Sequence, residues 1–258
     1  QRTIFFESYI VADDAVGHRF VDALAARARA GVAVLVVHDW LGCLGSHGIW
    51  DELVRAGAEV RAFNPFSFAS PFGWVTRDHR KTIAIDGAIA FVSGLCVSER
   101  WQGDPAKRLA PWRDTGVEIR GPAVAEIERA FAQVWDACGP PLPESLLAPP
   151  DSIEPAGETT LRVVVGVPNA GNVFRFDTSI ASLARHYLWL TDAYFVGGAT
   201  YTQALRAAAR DGVDVRLLVP GASDIPALRP LSRVGYRPLL EAGVRVFEWN
   251  GTMLHAKT

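Results

Sequence analysis

His79-Arg80-Lys81-Thr82-Ile83-Ala84-Ile85-Asp86-Gly87 is the stretch around which this chain organises itself, because its opening returns as His255-Ala256-Lys257-Thr258. Residues two apart on a strand share a face, so each imidazole lies beside an ammonium on one surface. Asp86-Gly87 is a favoured hairpin pair, and it separates apolar residues 82–85 from 89–92, so two antiparallel strands are expected directly after the first copy. Asp86 is thus a candidate turn former as well as a candidate site residue.

Working outward, residues 3–10 read as a strand. Phe20, Leu24 and Ala28 mark a helix over 17–30 that ends at Gly31, and 32–37 form the continuous apolar run of a strand buried on both faces. The same order recurs with a strand at 188–195, a helix carrying Tyr201, Leu205 and Ala209, and a strand at 213–219. Ala30-Gly31-Val32 matches Asp211-Gly212-Val213, and Arg55-Ala56-Gly57-Ala58 matches Glu241-Ala242-Gly243-Val244, which points to an internal duplication. Strands alternating with helices predict an α/β sheet in each half with helices on both faces. A helix from Pro122 carries Val124, Ile127, Phe131 and Val134, and a Pro-rich stretch follows it. The expected division is therefore a first half over 1–140, a linker over 141–157 and a second half over 158–258.

The 258 residues suit two small domains, and 49% hydrophobic with 21% charged residues is ordinary globular composition. A net charge of −2 gives no general attraction to a polyanion, so nucleic acid is not expected as a partner. Cys43, Cys96 and Cys138 lack metal-ligand spacing and predict reduced thiols. No apolar run reaches the roughly 18 to 20 residues of a membrane-spanning helix. Of the 26 basic residues only three are lysines, Lys81, Lys107 and Lys257, and two of these sit in the repeated frame. An imidazole can attack phosphorus or move a proton near neutral pH, and a lysine offers compact positive charge to phosphoryl oxygens. Two copies supply a nucleophile and an acid that later acts as base.

His79-x-Lys81 with Asp86 reads H-x-K-x-x-x-x-D. Together with Gly87, Phe91, Ser93-Gly94, Pro111-Trp112-Arg113-Asp114, Tyr9-Ile10, Asp13-Asp14, Gly121-Pro122-Ala123-Val124, Tyr194-Phe195-Val196 and Met253 to Thr258, it resembles the phospholipase D superfamily, in its cardiolipin-synthase branch. The resemblance implies two pseudo-symmetric α/β/α sandwich halves sharing one active site, the second incomplete here because its motif stops before an aspartate. It implies a phosphohistidine intermediate with neither metal nor other cofactor. The catalytic set it implies is His79, Lys81, Asp86, Asp114, His255 and Lys257, with Asp114 orienting Nδ1 of His79 and the two His-Lys pairs binding the substrate phosphate. The implied activity is a phosphatidyltransferase acting on phosphatidylglycerol at a membrane surface, peripheral on the cytoplasmic face. A hydrolase or nuclease of the same superfamily and a degenerate lipid-binding protein are the other readings. One departure is Cys96 in Ser93-Gly94-Leu95-Cys96, where the family usually carries Asn. The aromatic stretch Phe63, Phe66, Phe68, Phe72 and Trp74 is expected to pack in the core or to touch acyl chains.

Overall fold

The apolar run in the thirties becomes Ala33–Asp39 (β2), whose neighbours are Thr3–Ser8 (β1) and Glu59–Phe63 (β3), all parallel. The computed structural model describes residues 2–68, 73–166 and 171–258; Phe72 lies outside them, as do the side chains of His47 and Trp74. The chain divides into two compact units. One comprises the residues up to Gln102 with Gly116–Val163, and the other Gly103–Thr115 with Val164–Thr258.

In the first unit Ala15–Arg29 (α1) and His47–Arg55 (α2) carry the chain between the parallel strands. Asp14 caps α1 by accepting the Val16 and Gly17 N–H groups. Lys81–Ile85 (β4), Ile89–Ser93 (β5) and Gly116–Arg120 (β6) then extend the sheet antiparallel, in the order β3-β2-β1-β4-β5-β6. Glu99–Gln102 (α3) is a short turn after β5, and Ala123–Ala137 (α4) follows β6. Side-chain alternation splits the strands between two cores. Ile4, Phe6, Val34 and Val36 pack toward α1 and α2, whereas Phe5, Leu35 and Val37 pack with Ile127, Phe131 and Trp135 of α4. Helices therefore cover both faces, which is why β1 and β2 lack the polar alternation of a half-exposed strand. The expected linker does not hang free. Leu142, Leu146, Leu147 and Ile153 pack on the α4 core, and buried Glu128 accepts the Ala148 and Gly87 N–H groups.

In the second unit Asn172–Leu183 (α5) precedes Tyr187–Thr191 (β7), Ala199–Arg210 (α6), Asp214–Pro220 (β8), Leu228–Glu241 (α7) and Arg245–Trp249 (β9). The three strands are parallel in sequence order. One core gathers Leu188, Val215, Leu217 and Val219 with Ala181, Leu205 and Leu239 of the helices. Among the described residues α5, α6 and α7 pack on that one face. The other face carries exposed Tyr187 and Trp189 and the ion network of Arg216, Asp214 and Arg245. Trp189 stacks under the Arg216 guanidinium, which covers apolar ring surface with a cation.

Candidate functional site

In the first unit the site is set by the pairing of β1 with β4, which aligns Ser8 with Lys81 and Glu7 with Thr82. His79 stands just before β4. The approach is pinned by Asp39 at the end of β2, a fully buried carboxylate that accepts the Asp78 N–H at 2.9 Å and the Gly42 N–H at 2.8 Å. Tyr9, immediately after β1, stacks on the His79 imidazole with ring centroids 3.9 Å apart and planes 19° from parallel. Lys81 Nζ donates to its own motif's His79 carbonyl at 2.6 Å and lies 5.3 Å from the Tyr9 centroid.

Beneath this pair Glu7 is fully buried, accepts from Thr82 Oγ1 at 3.1 Å and lies 3.6 Å from the Arg80 guanidinium. Burial pushes its carboxyl well above the usual range, and the neighbouring Asp78 adds to the shift. Among the described residues neither Glu7 Oε1 nor Asp78 Oδ2 receives a donor.

Asp86 is elsewhere. It was expected in the catalytic set, yet it sits in the β4–β5 turn, seven residues on from His79 and past the far end of β4, whose five residues alone span roughly 16 Å at strand rise. Its φ is +58° and that of Gly87 is +64°. Its Oδ1 accepts the Arg2 and Thr3 N–H groups at 2.5 and 2.8 Å, tying the hairpin to the start of β1. This geometry makes it a turn and strand-end residue.

The second unit builds a matching pair. Lys257 Nζ donates to the His255 carbonyl at 2.6 Å and lies 5.5 Å from the Tyr194 centroid, while Tyr194 meets the His255 ring edge-on at 5.7 Å. Thr191 at the end of β7 and Thr258 exchange both backbone hydrogen bonds, at 2.6 and 3.1 Å, as an antiparallel pair. This echoes the β1–β4 pairing beside Lys81. His255 is buried, and its Nδ1 lies 2.7 Å from Asp114 Oδ2, whose side chain is also buried. The carboxylate expected beside His79 is thus bonded to His255. The cause is backbone pairing: the Arg113 N–H donates to Met253 O at 2.9 Å and the His255 N–H to Arg113 O at 2.7 Å, which draws the Pro-Trp-Arg-Asp segment alongside the second motif.

An Nδ1–H donated to Asp114 fixes the tautomer and leaves Nε2 to accept or deliver a proton. Lys257 Nζ is 2.9 Å from that Nε2, placing positive charge where a phosphoryl oxygen would be held. Among the described residues no cluster of His, Cys, Asp or Glu is arranged to hold a metal ion. Among the described residues no disulfide joins Cys43, Cys96 or Cys138, and burial pushes Cys43 up to about 12, so it is no nucleophile near neutral pH. Of the aromatic stretch, Phe63 is buried, whereas Phe66 and Phe68 are exposed and meet edge to face.

Residues 179–258 match the family model described as "Cardiolipin synthase, PLD-like domain". Cardiolipin synthase A of Pseudomonas aeruginosa is 34% identical over 263 residues, covering 100% of this chain and 52% of the relative. Cardiolipin synthase of Alkalihalophilus pseudofirmus is 34% identical over 262 residues, covering 98% of this chain and 51% of the relative. The chain is thus similar to cardiolipin synthases and, over residues 179–258, to a PLD-like domain. It spans about half the length of the curated relatives it matches. In fold, the chain is similar to the phosphatidylserine synthase of Haemophilus influenzae, with a TM-score of 0.63 at 16% identity, covering 99% of this chain and 70% of that one. The polyphosphate kinase of Porphyromonas gingivalis gives 0.60 at 18% identity, covering 99% and 38%. Two features of the site were not assigned from sequence: the Asp114–His255 bond and the two tyrosine rings. Tyr9 and Tyr194 did stand in the quoted motifs, and their signal was recurrence just after the first strand of each half.

Proposed function

We propose that this chain carries the phosphatidyl-transfer centre of a cardiolipin-synthase-type enzyme acting on phosphatidylglycerol. The observation that carries the reading is the two-fold construction of the His-Lys pair, with the Nδ1 of His255 held by Asp114. In the proposed reaction His79 Nε2 attacks the phosphorus, an N–P bond forms, and the bond from phosphorus to the leaving glycerol oxygen breaks. His255 Nε2 delivers a proton to that oxygen. The same nitrogen then takes the proton of the incoming hydroxyl, whose oxygen displaces His79 and restores the free imidazole. Lys81 and Lys257 balance the charge on the non-bridging oxygens throughout.

The similarity to cardiolipin synthases supports a lipid substrate. So do the exposed Phe66 and Phe68, side chains suited to a headgroup boundary. No helix among the described residues is long and apolar enough to cross a membrane, so a peripheral association is the one proposed. The net charge of −2 weighs against a nuclease. The test is to offer phosphatidylglycerol vesicles labelled in the phosphatidyl group beside single-stranded DNA at low salt, quench, and map the adduct. Label on His79, retained in His255→Ala and absent from His79→Ala, is the expected result. Label on His255 reverses the two roles, and cleavage of DNA with untouched vesicles replaces the reading by the nuclease one.

A further inference from the structure

The two His-Lys pairs share a third member that neither motif contains. In the first unit the Lys81 ammonium folds back on the His79 carbonyl and lies 5.3 Å from the Tyr9 ring, which stacks on the imidazole at 3.9 Å. In the second unit Lys257 does the same at 5.5 Å from Tyr194, whose ring stands edge-on to His255 at 5.7 Å. Both ammonium distances are within the roughly 6 Å at which a ring quadrupole attracts a cation. The two tyrosines occupy corresponding places, each just past the first strand of its unit, β1 or β7. Both are half-buried, so each ring also displaces water from one side of its pair. The Tyr194 hydroxyl donates to Asp224 Oδ1 at 3.0 Å. The shared property is the ring.

We propose that Tyr9 and Tyr194 are positioning residues, each using its aromatic ring to hold the lysine ammonium and the imidazole of its own motif in register for a phosphoryl group. This rests on the proposed phosphoryl chemistry and adds to it two residues that act through the histidines and lysines. A free lysine samples many rotamers. One held between a carbonyl and a ring face presents its charge in one place, and loss of that order lowers turnover more than it lowers substrate capture.

The experiment compares Tyr9→Phe, Tyr9→Leu, Tyr194→Phe and Tyr194→Leu in the protein. Turnover is measured on phosphatidylglycerol vesicles, inorganic phosphate binding is followed by NMR, and the His79 and His255 Hε1 resonances are recorded, with circular dichroism confirming the fold. The leucine variants are expected to lose about tenfold in kcat with little change in KM. They should also bind inorganic phosphate several-fold more weakly, and Tyr9→Leu should lose the ring-current displacement of His79. The phenylalanine variants should recover most of each loss. Leucine variants that match the wild type overturn the proposal, and so do phenylalanine variants that fall as far as leucine, since the hydroxyl would then be the active part. If the wild-type protein turns over no phosphatidylglycerol, the functional reading fails, while phosphate binding and the Hε1 shifts still decide whether the rings order the two pairs.

Discussion

An imidazole that must give and take a proton at Nε2 has to be held by its other nitrogen, and Asp114 does this for His255. Asp114→Asn keeps the shape but lets the amide select the wrong tautomer, so kcat should fall by about 10² or more while KM stays near its original value. Steady-state transfer rates check this. Glu7 supplies a prediction of another kind. The folded chain keeps this buried carboxyl protonated where the unfolded chain, near the ordinary value of 4.5, has released the proton. The folded state then binds more protons, so the Glu7 contribution is full below the ordinary glutamate range and is lost as pH rises toward the raised folded value. Glu7→Gln keeps a neutral hydrogen-bonding group beside Asp78. Urea midpoints from about pH 5 to pH 8 should decline less steeply in this variant than in the wild type.

The β4–β5 hairpin shows how an element turns a motif residue into a structural one. Asp86 and Gly87 both occupy the left-handed region, and a Cβ on Gly87 would come within 2.3 Å of the Ala148 Cβ. Gly87→Ala therefore meets backbone strain and a clash together, and should cost roughly 2 kcal/mol or more of stability. Asp86→Ala removes the acceptor of two N–H groups at the start of β1 and should cost about 1 to 2 kcal/mol. With Asp86 a strand's length from His79, the folded fraction of Asp86→Ala should keep its kcat. Denaturant melts paired with rates per folded molecule separate the two effects, and a kcat loss like that of a histidine variant would return Asp86 to the chemistry.

Across the whole molecule the units differ in how much surface each can bury. Among the described residues the first has six strands and a core on each face of its sheet, and the second has three strands and one core. Its open face exposes Tyr187 at 67% and Trp189 at 57%. Less apolar burial per residue means a smaller opposing term to chain entropy, so the second unit should open first. Hydrogen exchange in rising urea should release the β7 and β8 amides before those of β1 and β2. Simultaneous release would mean that the units unfold as one.

Local chemistry was enough to place most elements. Continuous apolar runs gave β1 and β2, helical spacing gave α1, α4 and α6, and Asp86-Gly87 gave the β4–β5 turn, because each depends on neighbours a few residues away. The His-Lys adjacency was legible for the same reason, since a two-residue period is a property of any strand. What the sequence could not decide was which imidazole receives Asp114. That depends on the bridge of Arg113 to Leu254, a pairing across about 140 positions that no local pattern records. The fate of residues 141–157 was hidden likewise, because their proline content describes a linker while Leu142 and Leu147 find a core only once α4 is in place. Asp86 shows the same limit from the other side. Its spacing from His79 along the chain is short, but a strand is extended, and only the fold turns seven residues into a separation too long for chemistry.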